Sequence, residues 1–364
     1  MKNLKLQLVF LFFGIFLSVN AQSYDKILGK VNVKDDSWFS GKEANHIADN
    51  ILFYQNEDGG WPKNFDMAKD PDLQQLKKLK IEGSHLLAST IDNGATHTQM
   101  WFLAKVYEAT GDEKYKSAFL DGVDYLLKSQ YANGGWPQFY PIRKGYYEHI
   151  TLNDGAMIGV MTILRDISQN KKPVDFVDPV RMEKARIAVD KGIQVLLDMQ
   201  VVVDGKLTVW CAQHDEHTLL PAKARAYELI SLSGGESVGV VEFLMKLQNP
   251  SERVKRSIRS AVNWFEKTKI TGEKVVKVDA PNLPEGFDKV VEKDPDAGPI
   301  WARFYQIGTN KPMFVGRDGI IKDHLADIEH ERRIGYGYLK NYAEELLNKD
   351  YPAWEKRMQK YSGD

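Results

Sequence analysis

The feature that most constrains the fold is a recurring segment in which a helical pattern runs into a glutamine, a glycine-bearing turn and a tryptophan. It occurs as "LFYQNEDGGWP", "LLKSQYANGGWP" and "LLDMQVVVDGKLTVW". The glutamines are Gln55, Gln130 and Gln200, spaced 75 and 70 residues apart. The tryptophans are Trp61, Trp136 and Trp210. A period of this length holds two helices, so the recurrence predicts a helical-hairpin repeat. Shared helix-stop chemistry without homology is the alternative interpretation.

The hydrophobic pattern supports a helical chain. From residue 92 onward, apolar residues fall at helical spacing, and the alternation typical of strands is scarce. Asp112 is the predicted N-cap of one helix, and Asp178 followed by Pro179 begins another. Further helices are predicted at about 43–55, 95–109, 155–168, 221–233, 252–268 and 323–347. Packed hairpins of this kind close into an all-α fold, an α/α toroid of about three helical hairpins.

An acid follows each tryptophan loop, where the next helix is predicted to begin: Asp92, Asp154 and Asp215. Equivalent helices run parallel in an α/α toroid, so Asp92–Asn93 and Asn153–Asp154 would share one rim. Carboxylate and amide oxygens are ligands that suit calcium, whereas a zinc site would need histidine or cysteine. The pairs therefore predict a calcium site, although either motif taken alone is also a common helix N-cap.

Several functional classes are disfavoured by the rest of the sequence. A formal net charge of −1 argues against a general nucleic-acid binder. The single cysteine, Cys211, excludes an internal disulfide. His214 and His217 lack the HExxH pattern of a zinc hydrolase, and metal ligation by them is the minor interpretation.

Residues 1–21 have a basic start, a short apolar core and small residues at the end. This pattern predicts a signal peptide and an exported protein, with an uncleaved membrane anchor as the alternative.

A segment from 298 to 333 holds arginines among aromatic and acidic residues. Arg317 lies in "GRDG", between glycines that let backbone approach a ligand, and Arg303 is flanked by Trp301 and Phe304. Surface salt bridges are the alternative for any one arginine. Beside a calcium rim, the set predicts carboxylate recognition, because a guanidinium fork fits a carboxylate with two bonds.

The chain from about 43 to 347 resembles the family 10 pectate lyases, which cleave polygalacturonate by β-elimination. The matching strings occur in order: "DGGWPKN", "TIDNGATHTQM", "NGGWPQFYP", "LNDGAM", "AQHDEHTLLPAKARAYE", "WARFYQIGTNKPMFVGRDG" and "IEHERRIGY". The resemblance implies an α/α barrel plus a smaller domain of short irregular helices, with the active groove between them. It implies polygalacturonate as substrate and Ca²⁺ as cofactor. No nucleic acid, no membrane after signal cleavage and a monomer are expected.

The resemblance also implies residue roles on the rim. The family's calcium and substrate acids fall on "TIDN" and "LND", hence a metal site of Asp92, Asn93 and Asp154, with Asp92 also binding substrate. One departure is Gly94, because the family often has an acid after "TIDN". Losing that carboxylate would weaken calcium affinity, or change nothing if that side chain points away.

The arginine roles follow in the same way. The resemblance implies that Arg317 of the "GRDG" loop is the catalytic base. It implies that Arg303, Arg332 and Arg225 bind substrate carboxylates.

The predicted organisation is a signal peptide at 1–21, an N-terminal irregular helical part at 22–90, the toroid at 91–270, the arginine-bearing segment with a C-terminal helix at 271–347, and a tail at 348–364. Two other functions remain open from the residues. One is a glycoside hydrolase on an α/α scaffold, with Asp92 and Asp154 as acid and nucleophile or base. The other is a pectin-binding protein without catalysis.

Overall fold

A computed structural model describes residues 35–361, so the predicted signal peptide at 1–21 lies outside the described residues. The α-helices are α1 (Lys42–Tyr54), α2 (Leu73–Ile81), α3 (His97–Thr110), α4 (Glu113–Lys128), α5 (Ala156–Ser168), α6 (Pro179–Met199), α7 (Glu236–Met245), α8 (Glu252–Thr268), α9 (His330–Gly335) and α10 (Tyr351–Tyr361). Within the described range, no helix is both long and apolar enough to cross a membrane.

The strands are short and pair two by two. They are β1 (Ile150–Thr151), β2 (Val202–Val203), β3 (Lys206–Leu207), β4 (Gln213–His214), β5 (Leu232–Ser233), β6 (Glu273–Asp279), β7 (Phe287–Lys293), β8 (Trp301–Ala302), β9 (Phe304–Tyr305), β10 (Phe314–Val315), β11 (Ile321–Lys322) and β12 (Leu339–Lys340). The antiparallel pairs are β1–β4, β2–β3, β5–β9, β6–β7, β8–β12 and β10–β11.

The helices form three hairpins packed side by side, which confirms the predicted all-α class. The pairs α3–α4, α5–α6 and α7–α8 are in contact. Helices α3, α5 and α7 contact one another in succession, and α4, α6 and α8 do the same in a second row. Helix α1 packs on α3 and α4. The hairpins therefore build an inner and an outer layer of parallel equivalent helices around one hydrophobic core.

The repeated glutamines join neighbouring hairpins. The Gln55 side-chain amide donates to the carbonyl of Gly59 in its own turn, at 3.0 Å, and to that of Ala118 in the next outer helix, at 2.8 Å. The same pair of bonds runs from Gln130 to Gly134 and Ala188, and from Gln200 to Thr208 and Ser257. Because the bonding is the same three times, the repeat is structural rather than a coincidence of helix-stop residues.

The tryptophans add a second repeated bond. Trp61 is fully buried, and its indole N–H donates at 2.8 Å to the carbonyl of Ile51 in the preceding helix. Trp136 and Trp210 donate in the same way to Leu126 and Leu196. Trp301, which the sequence pattern did not include, donates at 2.9 Å to Phe265 of α8. The indole contact therefore occurs a fourth time, after the third hairpin.

Two turn glycines are required by close backbone approach. Gly59 has φ +89°, and a Cβ there would lie 2.3 Å from the carbonyl oxygen of Asp121. Gly134 has φ +101°, with Lys191 at 2.4 Å. Since a side chain would meet backbone atoms of the next outer helix, only glycine allows the hairpins to pack this closely.

The predicted helix starts agree with the structure in the repeat region. Asp112 accepts from the backbone N–H of Lys114 at 3.2 Å, and Asp178 accepts from that of Arg181 at 3.0 Å. The helices predicted at 221–233 and 323–347 are wrong. The first stretch is an extended loop ending in β5, which pairs with β9, and the second holds only a turn at Leu325–Asp327, helix α9 and strand β12 before its last residues. Leu232 and Leu339 lie in strands that pair with Tyr305 and Ala302 of the arginine segment, and this pairing overrides local helical preference.

Candidate active site

Two turns with the same backbone conformation precede inner helices α3 and α5. They are Asp92–Gly94 and Asn153–Gly155, and they pack against each other. Asn93 has φ 54° and ψ 30°, and Asp154 has φ 51° and ψ 27°. Each is followed by a glycine that also has positive φ. Asn, Asp and Gly are the residues that tolerate this left-handed region, so the repeated turn places two acid–amide pairs on one rim.

The aspartates of the rim do not cap their helices. The N-cap residues of α3 and α5 are Thr96 and Gly155, and neither makes a side-chain cap bond. Asp92 instead forms an ion pair with Lys63. Its other oxygen, Oδ1, is buried and has no hydrogen-bond partner within residues 35–361. Asp154 accepts at 2.9 Å from the side-chain amide of Asn153. The capping interpretation of both motifs is therefore wrong.

The third acid of the rim is Glu236, not Asp215 as the sequence pattern predicted. Asp215 closes a turn, accepting at 2.7 Å from the backbone N–H of Thr218. The third inner helix begins only at Glu236, after the long loop that follows Trp210. The missed signal was Ser237, whose hydroxyl accepts from the N–H of Trp210 at 3.0 Å, as the Thr96 hydroxyl accepts from Trp61 at 3.1 Å.

Arg303 connects the arginine segment to the rim. Its Nη2 atom donates to Asn153 Oδ1 at 3.1 Å and to Asp154 Oδ1 at 3.4 Å, and it also pairs with Glu236. Arg303 is only 8% exposed. Burial alone lowers its pKa, but the charge of Glu236 outweighs this, and the pKa of Arg303 is raised well above its ordinary value. The guanidinium is therefore charged and held against the Asn153–Gly155 turn and the start of α7.

Three of the predicted arginines, Arg303 among them, pack around two tyrosines. The guanidinium carbon of Arg303 lies 4.4 Å from the ring centre of Tyr336. Those of Arg332 and Arg225 each lie 4.9 Å from the ring centre of Tyr227. Tyr227 and Tyr336 contact each other edge to face at 5.6 Å. The structure thus brings Arg225, Arg303 and Arg332 into one cluster.

Each arginine has a carboxylate partner. Arg225 donates at 2.8 Å to Glu228, whose side chain is 5% exposed. Although burial lowers the pKa of Arg225, its bonds to Glu228 raise it overall. Arg317 pairs with Glu331, which also accepts from Arg332 at 2.8 Å. This pairing raises the pKa of Arg317, whose side chain is 62% exposed. Arg317 is therefore the most accessible of the four predicted arginines, at the outer end of the cluster.

The close approach at the "GRDG" loop explains one of its glycines. A Cβ on Gly316 would lie 1.9 Å from an oxygen of Glu329. The same carboxylate accepts from the backbone N–H of Arg317 at 2.9 Å. Glu329 therefore holds the backbone of the loop in place, while the side chain of Arg317 stays exposed to solvent.

Sequence reasoning missed a second cation at the rim, Lys63. It follows Trp61 in "GGWPKN", pairs with Asp92 and lies 5.5 Å from the ring centre of Phe139. Its place after the repeated tryptophan was the available signal. The two predicted metal-binding aspartates thus pair with cations from two different segments, Asp92 with Lys63 and Asp154 with Arg303.

The histidines of "HDEH" do not contribute to the rim. His214 is fully buried and uses both ring nitrogens, at 2.9 Å to the Leu219 carbonyl and at 3.1 Å to the Cys211 N–H. Among the described residues, one group of His149, Asp215 and Glu216 has ligand atoms within 4.8 Å of one another. There His149 pairs with Glu216 at 3.1 Å, and Asp215 closes its turn.

Comparisons with known proteins agree with this architecture. The sequence profile of the pectic acid lyase family matches residues 55–347. A family 10 polysaccharide lyase from Cellvibrio cellulosa is similar in structure, with a TM-score of 0.74 and 36% identity over 86% of this chain and 93% of that chain. A mutant of such a lyase from the same organism, in complex with trigalacturonic acid, matches with a TM-score of 0.74 and 35% identity over 86% and 94% of the two chains. No curated protein matches the sequence.

Proposed function

This chain belongs to the pectic acid lyases, family 10 of the polysaccharide lyases, and from that premise we propose that it cleaves de-esterified polygalacturonate by calcium-assisted β-elimination. The observation that carries the proposal is that two acid–amide turns lie together on one rim and that Arg303 bonds the arginine cluster to it. The trigalacturonic acid bound by the similar mutant enzyme supports a galacturonide substrate.

The rim residues fit a calcium ion. Asp92, Asn93 and Asp154 offer the oxygen donors that calcium prefers. Asp92 Oδ1 is buried without a hydrogen-bond partner among the described residues, which is unfavourable unless a cation completes the site. Ca²⁺ held there would neutralise the substrate carboxylate and make the adjacent C5 proton more acidic. Lys63 and Arg303 contribute fixed positive charge on either side of these carboxylates.

The arginine cluster binds the anionic substrate. The planar guanidinium groups of Arg303, Arg332 and Arg225 can each donate two hydrogen bonds to a uronate carboxylate. Arg303 is buried and cannot swing away, so the carboxylate that it binds stays against the rim. Charge that builds on this carboxylate as the C5 proton leaves is then stabilised by groups already in place.

Arg317 is the proposed base. It takes the C5 proton, the electrons of that C–H bond form the C4–C5 double bond, and the C4–O glycosidic bond breaks, with water supplying the proton to the leaving oxygen. A guanidinium is protonated at neutral pH, so only the small neutral fraction can act. Its pair with Glu331 raises its pKa, so this exposed pair must open before proton transfer. Nearby cations would then favour the neutral form.

The products distinguish this function from its alternatives. Purified protein would be incubated with polygalacturonate, with and without a chelator, and the ultraviolet absorbance of the conjugated product would be followed. We expect absorbance that disappears with chelator and returns with added Ca²⁺. Saturated reducing ends alone would indicate a glycoside hydrolase, and binding without cleavage would indicate a pectin-binding protein. We further propose that residues 1–21 direct export, which amino-terminal sequencing of the mature protein tests.

A further inference from the structure

Arg143 is a cation outside the cluster described above, and it lacks a carboxylate partner. Its guanidinium carbon lies 4.6 Å from the ring centre of Tyr147 and 5.8 Å from that of Phe139. Its Nη1 atom is buried and has no hydrogen-bond partner within residues 35–361. No carboxylate in that range lies within 4.0 Å of it as an ion pair, whereas Arg225, Arg303, Arg317 and Arg332 all have one. A buried donor without an acceptor is unfavourable, so the site is incomplete as it stands.

Arg143 shares a ring with the rim. Lys63, which pairs with Asp92, lies 5.5 Å from the centre of the same Phe139 ring. His85 is close to both cations: burial and then the charges of Arg143 and Lys63 lower its pKa. Positive charge therefore continues from the rim through Lys63 to Arg143, with Phe139 between them.

A tyrosine pair, Tyr146 and Tyr147, lies between Arg143 and the arginine cluster. The rings of Tyr146 and Tyr147 are 4.0 Å apart. Burial and Tyr147 raise the pKa of Tyr146, and the nearby charge of Arg225 opposes this rise. Tyr146 thus lies near the arginine cluster, while Tyr147 lies under Arg143. Partly exposed rings between two cationic sites are a surface on which a sugar chain can rest.

We propose that Arg143 binds the carboxylate of a galacturonate residue in an outer subsite, beyond the sugars at the cleaved bond, with Tyr146 and Tyr147 supporting the chain. This inference rests on the proposed function, since the ligand is part of the same polymer. The charge, the unused donor and the position beside Lys63 all favour an anionic sugar over a neutral one. The alternative is that Arg143 only packs on the two rings through cation–π contact.

The test is the dependence of kcat/KM on chain length, measured with tri- to hexagalacturonate. We expect wild-type kcat/KM to rise when the chain becomes long enough to reach Arg143. Arg143→Gln should lose about tenfold or more of that gain, the effect of one charge-assisted pair, and change little on the shortest chain that is cleaved. Arg143→Lys should recover part of the gain because it keeps the charge.

The matched control is Lys144→Gln. Lys144 is the next residue, its side chain is 91% exposed, and it pairs with Glu148, so the chain-length profile should not change. Melting temperatures would show whether the variants are folded. An Arg143→Gln profile identical to wild type would mean that Arg143 only packs on the rings, and an equal loss on every chain would place it outside an outer subsite. Absence of any unsaturated product from wild type would instead contradict the proposed function.

Discussion

The Nη2 atom of Arg303 lies 3.4 Å from a carboxylate oxygen of Asp154, although the two residues are 149 positions apart in the chain. Asp154 belongs to the turn before inner helix α5, and Arg303 to the segment that follows the last hairpin. The same guanidinium pairs with Glu236 at the start of α7. One side chain therefore joins the calcium rim that we propose to the arginines that we propose to bind substrate.

Glu236→Gln should destabilise the protein and reduce activity. The pair with Arg303 is buried, with side-chain exposures of 5% and 10%, so removing one charge leaves the other incompletely compensated. Breaking such a pair costs about 3–5 kcal/mol, and the retained amide makes the lower value the expected one. The measurement is the free energy of unfolding in urea.

The control for this prediction is Glu242→Gln on the same helix. Burial raises the pKa of Glu242, and it forms no ion pair within residues 35–361. Removing its charge therefore breaks no interaction like the one between Glu236 and Arg303. We expect wild-type stability or slightly more. Equal stability of Glu236→Gln and wild type would mean that Asp154 and Asn153 alone compensate Arg303.

Asp92→Asn and Asp154→Asn should each weaken calcium binding and activity while leaving the fold intact. Asparagine tolerates the left-handed conformation of residue 154, and neither aspartate caps a helix, so both variants should fold. Asp92→Asn should lose more stability than Asp154→Asn, because it also removes the charge that pairs with Lys63. Loss of a residue that only supports a metal ligand typically lowers metal affinity by about 10–100-fold. Loss of charge on a ligand itself should lower calcium affinity by at least as much. Calorimetric titration with Ca²⁺ measures this directly. The control is Asp215→Asn, which alters a turn away from the rim. If this variant lost as much calcium affinity as Asp92→Asn and Asp154→Asn, the proposed site would be contradicted.

Arg317→Lys should lower kcat strongly while KM changes little, because lysine keeps the charge but loses the geometry and reach of the base. Arg303→Lys should mainly raise KM, since a carboxylate clamp acts on ground and transition states alike. Wild-type rate should increase toward alkaline pH, as the neutral fraction of the base grows. These constants would be measured for both variants between about pH 7 and 10.

Arg225→Lys is the decisive companion to Arg317→Lys. Arg225 is half-buried and held by Glu228, whereas Arg317 is held by one exposed carboxylate that can be displaced. These contacts are the basis of our proposal that Arg317, rather than Arg225, is the proton acceptor. If Arg225→Lys abolishes turnover while Arg317→Lys keeps normal kcat and the alkaline increase, the roles of the two arginines are exchanged.

Acid should destabilise the protein through two histidines, His97, whose ring Nε2 is buried, and the fully buried His214. Burial lowers the pKa of His97 and of His214 to about 4, from an ordinary value of 6.5. Between these values the unfolded chain binds protons that the folded chain does not, so the free energy of unfolding should decrease as pH falls from 6.5 to about 4. His97→Phe should reduce this slope, and His217→Gln, 84% exposed, should not. Urea unfolding across this pH range measures it, and unchanged slope in His97→Phe would contradict the assignment.

The sequence predicted the repeat because its signals are local. Glutamine and tryptophan bond within one hairpin or to its neighbour, and Asp112 and Asp178 cap the helices that they precede. The third rim acid could not be placed, since the loop between Trp210 and Glu236 is long and its turn at Asp215 imitates a helix start. The helix predicted at 221–233 failed for a related reason: Leu232 and Ser233 pair with Phe304 and Tyr305, which are distant in sequence.

The site was predictable as a set of residue types rather than as a set of pairs. Repetition placed Asp92 and Asp154 on one rim, and the family resemblance supplied the arginines. That Lys63 pairs with Asp92, and that Glu236 pairs with Arg303, depends on contacts between segments that no spacing in the sequence reveals.

The central claim is that this groove breaks the glycosidic bond by elimination. Cleavage of polygalacturonate in water labelled with heavy oxygen, followed by mass spectrometry of the fragments, tests it most directly. Elimination takes no oxygen from water, so we predict unsaturated ends without the label, formed only when Ca²⁺ is present. Incorporation of one labelled oxygen at each new reducing end would show hydrolysis and contradict the account.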